Sequence, residues 1–247
     1  MKSRLLWAAG IAIIAALAIS RHVLTIFFAI QITAAIIALV LHELSHGLVA
    51  LYYGDRTAQE RGRLTLNPVA HIDPFGTLIL PSLLLLLHLS PIGFAKPVPI
   101  DPSRMRNPRH ATLIVSIAGP LTNLVLSILA GVSLRIYLFS NSYTSSGILL
   151  SGNYSPGLLF GYFLIYFGIV NAVLFIFNIL PIPPLDGSAI LRRYIGDGRF
   201  SAFASKLKFL LPLLLVGLFI FPTLLSHLFS PVIRLWVDAF LPTSAII

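Results

Sequence analysis

The sequence contains no cysteine and unusually few charged residues. Of its 247 residues only 10% are charged and 8 are acidic, whereas 57% are hydrophobic. A soluble domain carries roughly 25% charged residues, so this composition excludes an ordinary soluble domain and indicates an integral membrane protein. The absence of cysteine excludes disulfides and thiolate ligands, which leaves histidine and carboxylate side chains to bind any metal ion.

The few charges are mostly positive, with 17 lysine and arginine residues and a formal net charge of +9. In a chain this apolar, basic residues mark the loops on the cytoplasmic side of a membrane. We therefore do not expect nucleic-acid binding, and we use these residues to orient the predicted helices.

Long apolar runs predict an all-α polytopic membrane protein with about five to six transmembrane helices. We expect one membrane-embedded domain over residues 1–247, with its core at about 23–191. Outside the core, we predict a retained first helix within 1–22, a last helix at 206–229 and an interfacial tail at 230–247.

Two segments between the helices are predicted to differ from a plain spanning helix. Residues 63–66 alternate apolar and polar side chains and predict a short β-strand piece. Residues 75–89 are apolar, but this run is short and contains Pro81, which favours a re-entrant segment over a full crossing. The three prolines at 91–99 make that stretch extended. We expect the extended pieces near the cytoplasmic face.

The distribution of basic residues supports this topology. With the N-terminus inside and 75–89 re-entrant, every lysine and arginine lies on the inner side except Arg21, Arg135 and Arg234. If 75–89 crossed the membrane, this asymmetry would largely vanish. We therefore expect a multi-pass protein of the plasma membrane.

The most informative stretch is HELSH at 42–46, which follows a run of residues 23–41 without an ionisable side chain. Histidines four residues apart lie on one face of a helix, so both imidazoles can reach one metal ion. Glu43 is placed to act as general base on a metal-bound water. Polar side chains snorkelling at a helix end are the alternative. However, His46 lies eight residues before the predicted helix end at Gly54, so the site is about 12 Å below the cytoplasmic end, where a glutamate is costly.

A catalytic zinc needs a third protein ligand, and Asp186 is the best candidate in the sequence. It follows an apolar helix and lies on the same predicted side as His46. The proline-rich segment before it should unwind the helix around a polar cavity. Gly187 would let a backbone come close to the metal. The alternative is that Asp186 caps the helix that follows.

These motifs resemble those of the site-2 protease family of intramembrane zinc metalloproteases, in its compact bacterial and archaeal branch without PDZ or CBS domains. The resemblance covers about residues 41–191. It rests on HELSHG at 42–47, GPLTN at 119–123 and NILPIPPLDG at 178–187, together with GRLTLNP at 62–68, HID at 71–73 and GFAKPVP at 93–99.

The resemblance implies one Zn²⁺ per chain, bound by His42, His46 and Asp186, with Glu43 as general base. It implies that Asn178 holds the substrate or stabilises the oxyanion, for which a helix–helix hydrogen bond is the alternative. The implied activity is cleavage of single-span membrane-protein substrates within the lipid bilayer, at a site near the cytoplasmic face.

Three further motif residues have less specific interpretations. For Asn123 a helix–helix hydrogen bond is favoured, with Gly119 allowing close approach of the helices. His71 and Asp73 have two possible roles. They act at the site, by orienting a zinc ligand or lining the substrate path, or they fix the loop around the re-entrant segment. The sequence leaves both interpretations open.

A second class of function is a zinc-binding membrane protein that transports metal or scaffolds partners without proteolysis. That class predicts carboxylates or histidines along a path through both leaflets. This sequence has one such cluster near one face, which favours the endopeptidase. The sequence carries no signal for the oligomeric state.

Overall fold

The described residues of the computed structural model are 26–73, 76, 95–141, 155–207 and 222–241. Three predicted segments lie wholly or mostly outside them: the first helix within 1–22, the re-entrant segment at 75–89 apart from Gly76, and residues 208–221 of the last helix predicted at 206–229. The structural statements below concern the described residues.

Three long helices form the centre of the fold: α1 (Ile26–Tyr52), α2 (Pro108–Asn141) and α3 (Pro156–Ile179). Each is long and apolar enough to cross a membrane. The predicted helical architecture is confirmed to the extent of these three candidate membrane-spanning helices. Within the described ranges they are the three candidate spans, and the total of five to six stays a prediction.

Shorter elements connect and flank these helices. They are a helical turn at Thr57–Glu60, 3-10 turns at Pro68–His71 and Pro102–Arg104, α4 (Ser188–Ile195), a helix over 197–207 and α5 (Pro222–Phe240).

Small residues allow the three central helices to pack closely. Ala34 and Ala38 of α1 are fully buried, and the Ser127 hydroxyl of α2 donates to the Gly168 carbonyl of α3 over 2.9 Å. In a lipid bilayer the hydrophobic effect does not drive helices together. Helices associate there through close backbone contact, which small residues permit. Large apolar side chains cover the outside instead, for example Leu121, Val125, Ile136 and Phe139.

Helix α5 runs across the predicted border between the last helix and the tail. It continues through Pro231 to Phe240, and the division at 229/230 into a spanning helix and an interfacial tail stays a prediction. Trp236 explains why this end stays packed: it is 4% exposed and donates its indole N–H to the Ser127 carbonyl over 3.3 Å. Its ring fills the space that Gly168 leaves, because a Cβ there would overlap the indole.

The β-strand predicted at residues 63–66 is not formed, and none of the described residues is in a strand. The Arg63 amide donates to the Ala58 carbonyl, which continues the preceding turn, and the buried Arg63 guanidinium donates to the Lys96 carbonyl over 2.7 Å. The alternation therefore reflects a buried arginine that fixes a loop.

Asp55 joins that loop region to the end of α1. Its carboxylate is 1% exposed and accepts from the Thr57 amide at 2.9 Å and the Asp101 amide at 2.7 Å. The Arg106 amide donates to the Tyr53 carbonyl over 2.8 Å. Residues 95–106 are thereby held against the end of α1 that carries the HELSH motif.

Candidate metal centre

Three side chains from distant parts of the sequence meet at one point. Oδ2 of Asp186 lies 3.0 Å from Nε2 of His42 and 3.2 Å from Nε2 of His46, and the two Nε2 atoms are 3.1 Å apart. Ligand atoms about 2.0 Å from a tetrahedral zinc lie about 3.3 Å from one another. The triangle therefore has the size that zinc requires, and these residues could hold the ion.

The helix register of α1 places both histidines on the face that meets α2. Each is 5% exposed, and His46 lies six residues before the helix ends at Tyr52, which corresponds to about 9 Å. Gly119 of α2 provides the space for them, since a Cβ at this position would overlap both imidazole rings. The sequence predicted close approach at Gly119, and the close neighbours are these rings.

Helix α2 also supplies a partner for the second nitrogen of each ring. The Val115 carbonyl lies 2.6 Å from Nδ1 of His46, and Oδ1 of Asn123 contacts Nδ1 of His42. A backbone carbonyl only accepts, so His46 donates through Nδ1, and in the neutral ring Nε2 is left as a lone pair. Metal-binding histidines commonly have such a partner.

The loop after α3 presents Asp186 to the histidines. The Gly187 amide donates to the Asn178 carbonyl over 2.6 Å, which folds the loop back onto the end of α3. A Cβ at Gly187 would overlap the Ile179 carbonyl. A glycine is therefore needed at position 187 because the backbone here lies against the end of α3. We predicted instead that Gly187 lets the backbone come close to the metal. The Asp186 carboxylate faces the histidines, and Gly187 occupies the N-cap position of α4.

Glu43 is half-buried and lies beside the first histidine. Its Oε2 accepts the backbone N–H of Val98 over 2.8 Å. Residues 95–100 thus run next to the predicted base.

Asn178 lies in the last turn of α3. Its side-chain Nδ2 donates to the Leu174 carbonyl over 3.0 Å, within the same helix. Among the described contacts, Asn178 reaches the Asp186 loop through its backbone carbonyl, and its predicted role toward substrate stays a prediction.

His71 and Asp73 have contacts of the loop-fixing kind. Nε2 of His71 lies 3.0 Å from the Thr65 carbonyl, and the His71 carbonyl accepts from the Lys96 amide at 2.9 Å. The Asp73 carboxylate accepts from the Gly76 amide at 2.7 Å. Among the described residues, the groups that contact Nδ1 of the zinc-site histidines belong to α2, and not to His71 or Asp73.

Comparison with known proteins decides the family. The family model for Peptidase family M50 matches residues 27–216. The chain belongs to peptidase family M50. This is the site-2 protease family that the sequence motifs resemble, so the chain is a zinc metalloendopeptidase by family, and the group of His42, His46 and Asp186 fits its metal.

Curated relatives agree with this assignment. The chain is 39% identical over 163 residues to "Putative zinc metalloprotease YwhC" of Bacillus subtilis, covering 66% of this chain and 68% of the relative. It is 31% identical over 205 residues to "Putative zinc metalloprotease Rip2" of Mycobacterium tuberculosis, covering 83% and 72%. Rip2 of Mycolicibacterium smegmatis is 31% identical over 178 residues, covering 72% of this chain and 61% of the relative. No solved structure matches the chain.

Two asparagines of this M50 chain have roles that the sequence did not reveal. Asn123 was interpreted as a helix–helix contact, and it also contacts His42. Asn171 of α3 was not singled out, although it is fully buried, donates to the Phe167 carbonyl and accepts from the buried Asn123 side chain. The available signal was the cost of placing an amide within an apolar spanning helix.

Proposed function

We propose that the chain is an intramembrane zinc endopeptidase that cleaves membrane-spanning segments of other membrane proteins. The observation that carries this proposal is the convergence of His42, His46 and Asp186, with Glu43 beside them, about 9 Å from the end of candidate span α1. A hydrolytic site at this depth is suited to peptide bonds that lie in the bilayer.

Each polar residue has a proposed task. His42, His46 and Asp186 bind the zinc, which when bound polarises the peptide carbonyl and acidifies water. Glu43 takes a proton from the attacking water and returns it to the leaving nitrogen. Asn178 donates to the developing oxyanion, because its amide carries two N–H groups and only one is needed for the Leu174 carbonyl.

The substrate must lose helical structure before it is cut. Helical peptide carbonyls are hydrogen-bonded and screened by side chains, so a spanning segment has to unwind at the cleaved bond. We propose that the unwound stretch lies along residues 95–100, because Val98 in this segment reaches the Glu43 carboxylate. The preferred substrates are proteins with a single membrane span.

We further propose that the site faces the cytoplasmic side of the plasma membrane, within one domain over 1–247 with five to six spans and a re-entrant 75–89 segment. The Arg106 amide is hydrogen-bonded to the Tyr53 carbonyl, which puts the start of α2 at the same end as the end of α1. This end carries the basic residues Arg56, Arg61, Arg104, Arg106, Arg109, Arg192 and Arg193.

The decisive experiment compares Glu43→Gln with Glu60→Gln in purified protein reconstituted with a tagged single-span substrate. Glu60 is the other glutamate of the chain; it is exposed and paired with Arg104. Glu43→Gln should abolish cleavage while zinc stays near one per chain, and Glu60→Gln should cleave normally. Undiminished cleavage by Glu43→Gln would exclude Glu43 as base. Zinc flux across vesicles without any cleavage would favour the transporter class.

A further inference from the structure

A chain of three hydrogen bonds, two of them buried, leads from α3 to His42. Nδ2 of Asn171 donates to the Phe167 carbonyl over 2.8 Å, and Nδ2 of Asn123 donates to Oδ1 of Asn171 over 2.7 Å. Oδ1 of Asn123 then contacts Nδ1 of His42. Both asparagines are 0% exposed, so water does not replace these partners.

The donor and the acceptor of each of these hydrogen bonds can be assigned by starting from the Phe167 carbonyl. The Phe167 carbonyl can only accept, so Asn171 must turn its NH₂ group toward it. Its Oδ1 consequently faces Asn123 and accepts, which requires Asn123 to donate through its own NH₂ group. Only the carbonyl oxygen of Asn123 remains for His42, and Nδ1 of His42 must therefore be the donor.

We propose that Asn123 and Asn171 are positioning residues that hold His42 with its proton on Nδ1 and its Nε2 lone pair toward His46 and Asp186. This inference rests on the proposed function, because it takes His42 as a zinc ligand. We call the two asparagines together the amide relay.

Comparison of the two histidines explains why a second asparagine is needed. His46 donates to the Val115 carbonyl, which cannot change its direction. The Asn123 amide can rotate by half a turn and present NH₂ to His42, which would turn the ring into an acceptor at Nδ1 and put the proton on Nε2. Asn171 prevents this rotation, since the rotated Asn123 would place two carbonyl oxygens against each other in a buried site.

The first test is the zinc affinity of Asn171→Leu, measured by competition with a chromophoric chelator in detergent. We expect the dissociation constant for Zn²⁺ to rise about tenfold, the low end of the range for residues behind metal ligands. Asn141→Leu is the matched control: this amide also donates to the carbonyl four residues earlier, at 2.9 Å from Tyr137, but it is exposed at the end of α2. Its zinc affinity should be unchanged.

A double-mutant comparison separates the relay from packing. A carboxylate at position 123 has two acceptor oxygens and needs no orienting partner, so Asn171→Leu should cost little zinc affinity in an Asn123→Asp background. An equal loss in both backgrounds would mean that Asn171 acts through packing, and the relay would be refuted.

A measurement on the unchanged, zinc-loaded protein does not depend on how these variants fold. In ¹⁵N-histidine NMR, the signal that disappears in His42→Gln should show its proton on Nδ1; a proton on Nε2 would overturn the proposal. His42→Gln with full zinc stoichiometry would refute the proposed zinc site itself. If zinc binding is lost in His42→Gln but zinc affinity is unchanged in Asn171→Leu, only the proposed amide relay is refuted.

Discussion

Val98 donates its backbone N–H to the Glu43 carboxylate over 2.8 Å. The same segment is also fixed by Arg63, whose guanidinium donates to the carbonyls of Lys96 and Pro97 at 2.7 and 3.3 Å. The proposed base is therefore oriented by a backbone amide of a segment that is itself held in place.

Removing this amide should slow cleavage without removing zinc. Val98→Pro deletes the donor to Glu43, and we expect turnover to fall at least about tenfold, since orienting a general base contributes on this scale. Cleavage rate and zinc content of the purified protein are the measurements. Val98→Ala keeps the amide and should remain close to wild type; equal losses in both variants would show that the side chain, not the N–H, matters.

Gly119→Ala should damage the metal site directly. The new Cβ would overlap the rings of His42 and His46, so one ring must move. We expect zinc affinity to fall roughly 10- to 100-fold in the chelator competition. Gly131→Ala is the control on the same helix, where the Cβ would overlap the Phe240 ring. It should lower thermal stability but keep zinc, and wild-type zinc affinity in Gly119→Ala would contradict the described arrangement.

Asp186→Asn should reduce zinc binding, because a neutral amide is a much weaker zinc ligand than a carboxylate. Metal analysis after dialysis should show clearly less than one zinc per chain, and cleavage should be lost. In the wild type, a chelator should abolish cleavage and added Zn²⁺ should restore it. Asp197→Asn, at an exposed carboxylate paired with Arg192 at 2.6 Å, should change neither quantity. Full zinc occupancy in Asp186→Asn would remove Asp186 from the ligand set.

Trp236→Ala tests the packing of α5 against α2 and α3. The side chain is 4% exposed, and its deletion leaves a cavity above Gly168. A loss of about 3–5 kcal/mol is typical of such a truncation, so the apparent melting temperature in detergent should drop substantially. Leu235→Ala, 71% exposed on the same helix, should have a much smaller effect. Similar shifts in both variants would mean that α5 does not pack as described.

The sequence singled out three residues that the structure brings together, because the signals for them are local and chemical. The spacing of His42 and His46 fixes a shared helix face, and the absence of cysteine leaves few possible third ligands, among which Asp186 stands out. The three central helices follow in the same way from uninterrupted apolar runs.

The remaining features depend on which side chains meet across helices. Asn171 and Asn178 lie two turns apart on α3. The sequence motif at 178–187 singled out Asn178, but Asn171 makes the contact with Asn123. Alternation at 63–66 is compatible with a strand, and only the burial of Arg63 against carbonyls of a distant segment shows otherwise. Likewise, only the structure shows that Trp236 near the end of α5 packs against Gly168 and Ser127.

His42 and Asp186 are separated by 144 positions in the chain. A ribosome that adds about 5–20 residues per second needs roughly 7–30 seconds to pass from one to the other. Under the proposed ligand set, a nascent chain therefore carries the Glu43 helix in the membrane well before its third zinc ligand exists. A fragment from translation that stops before residue 186 has Glu43 but lacks the third proposed ligand, so it cannot form the proposed zinc site.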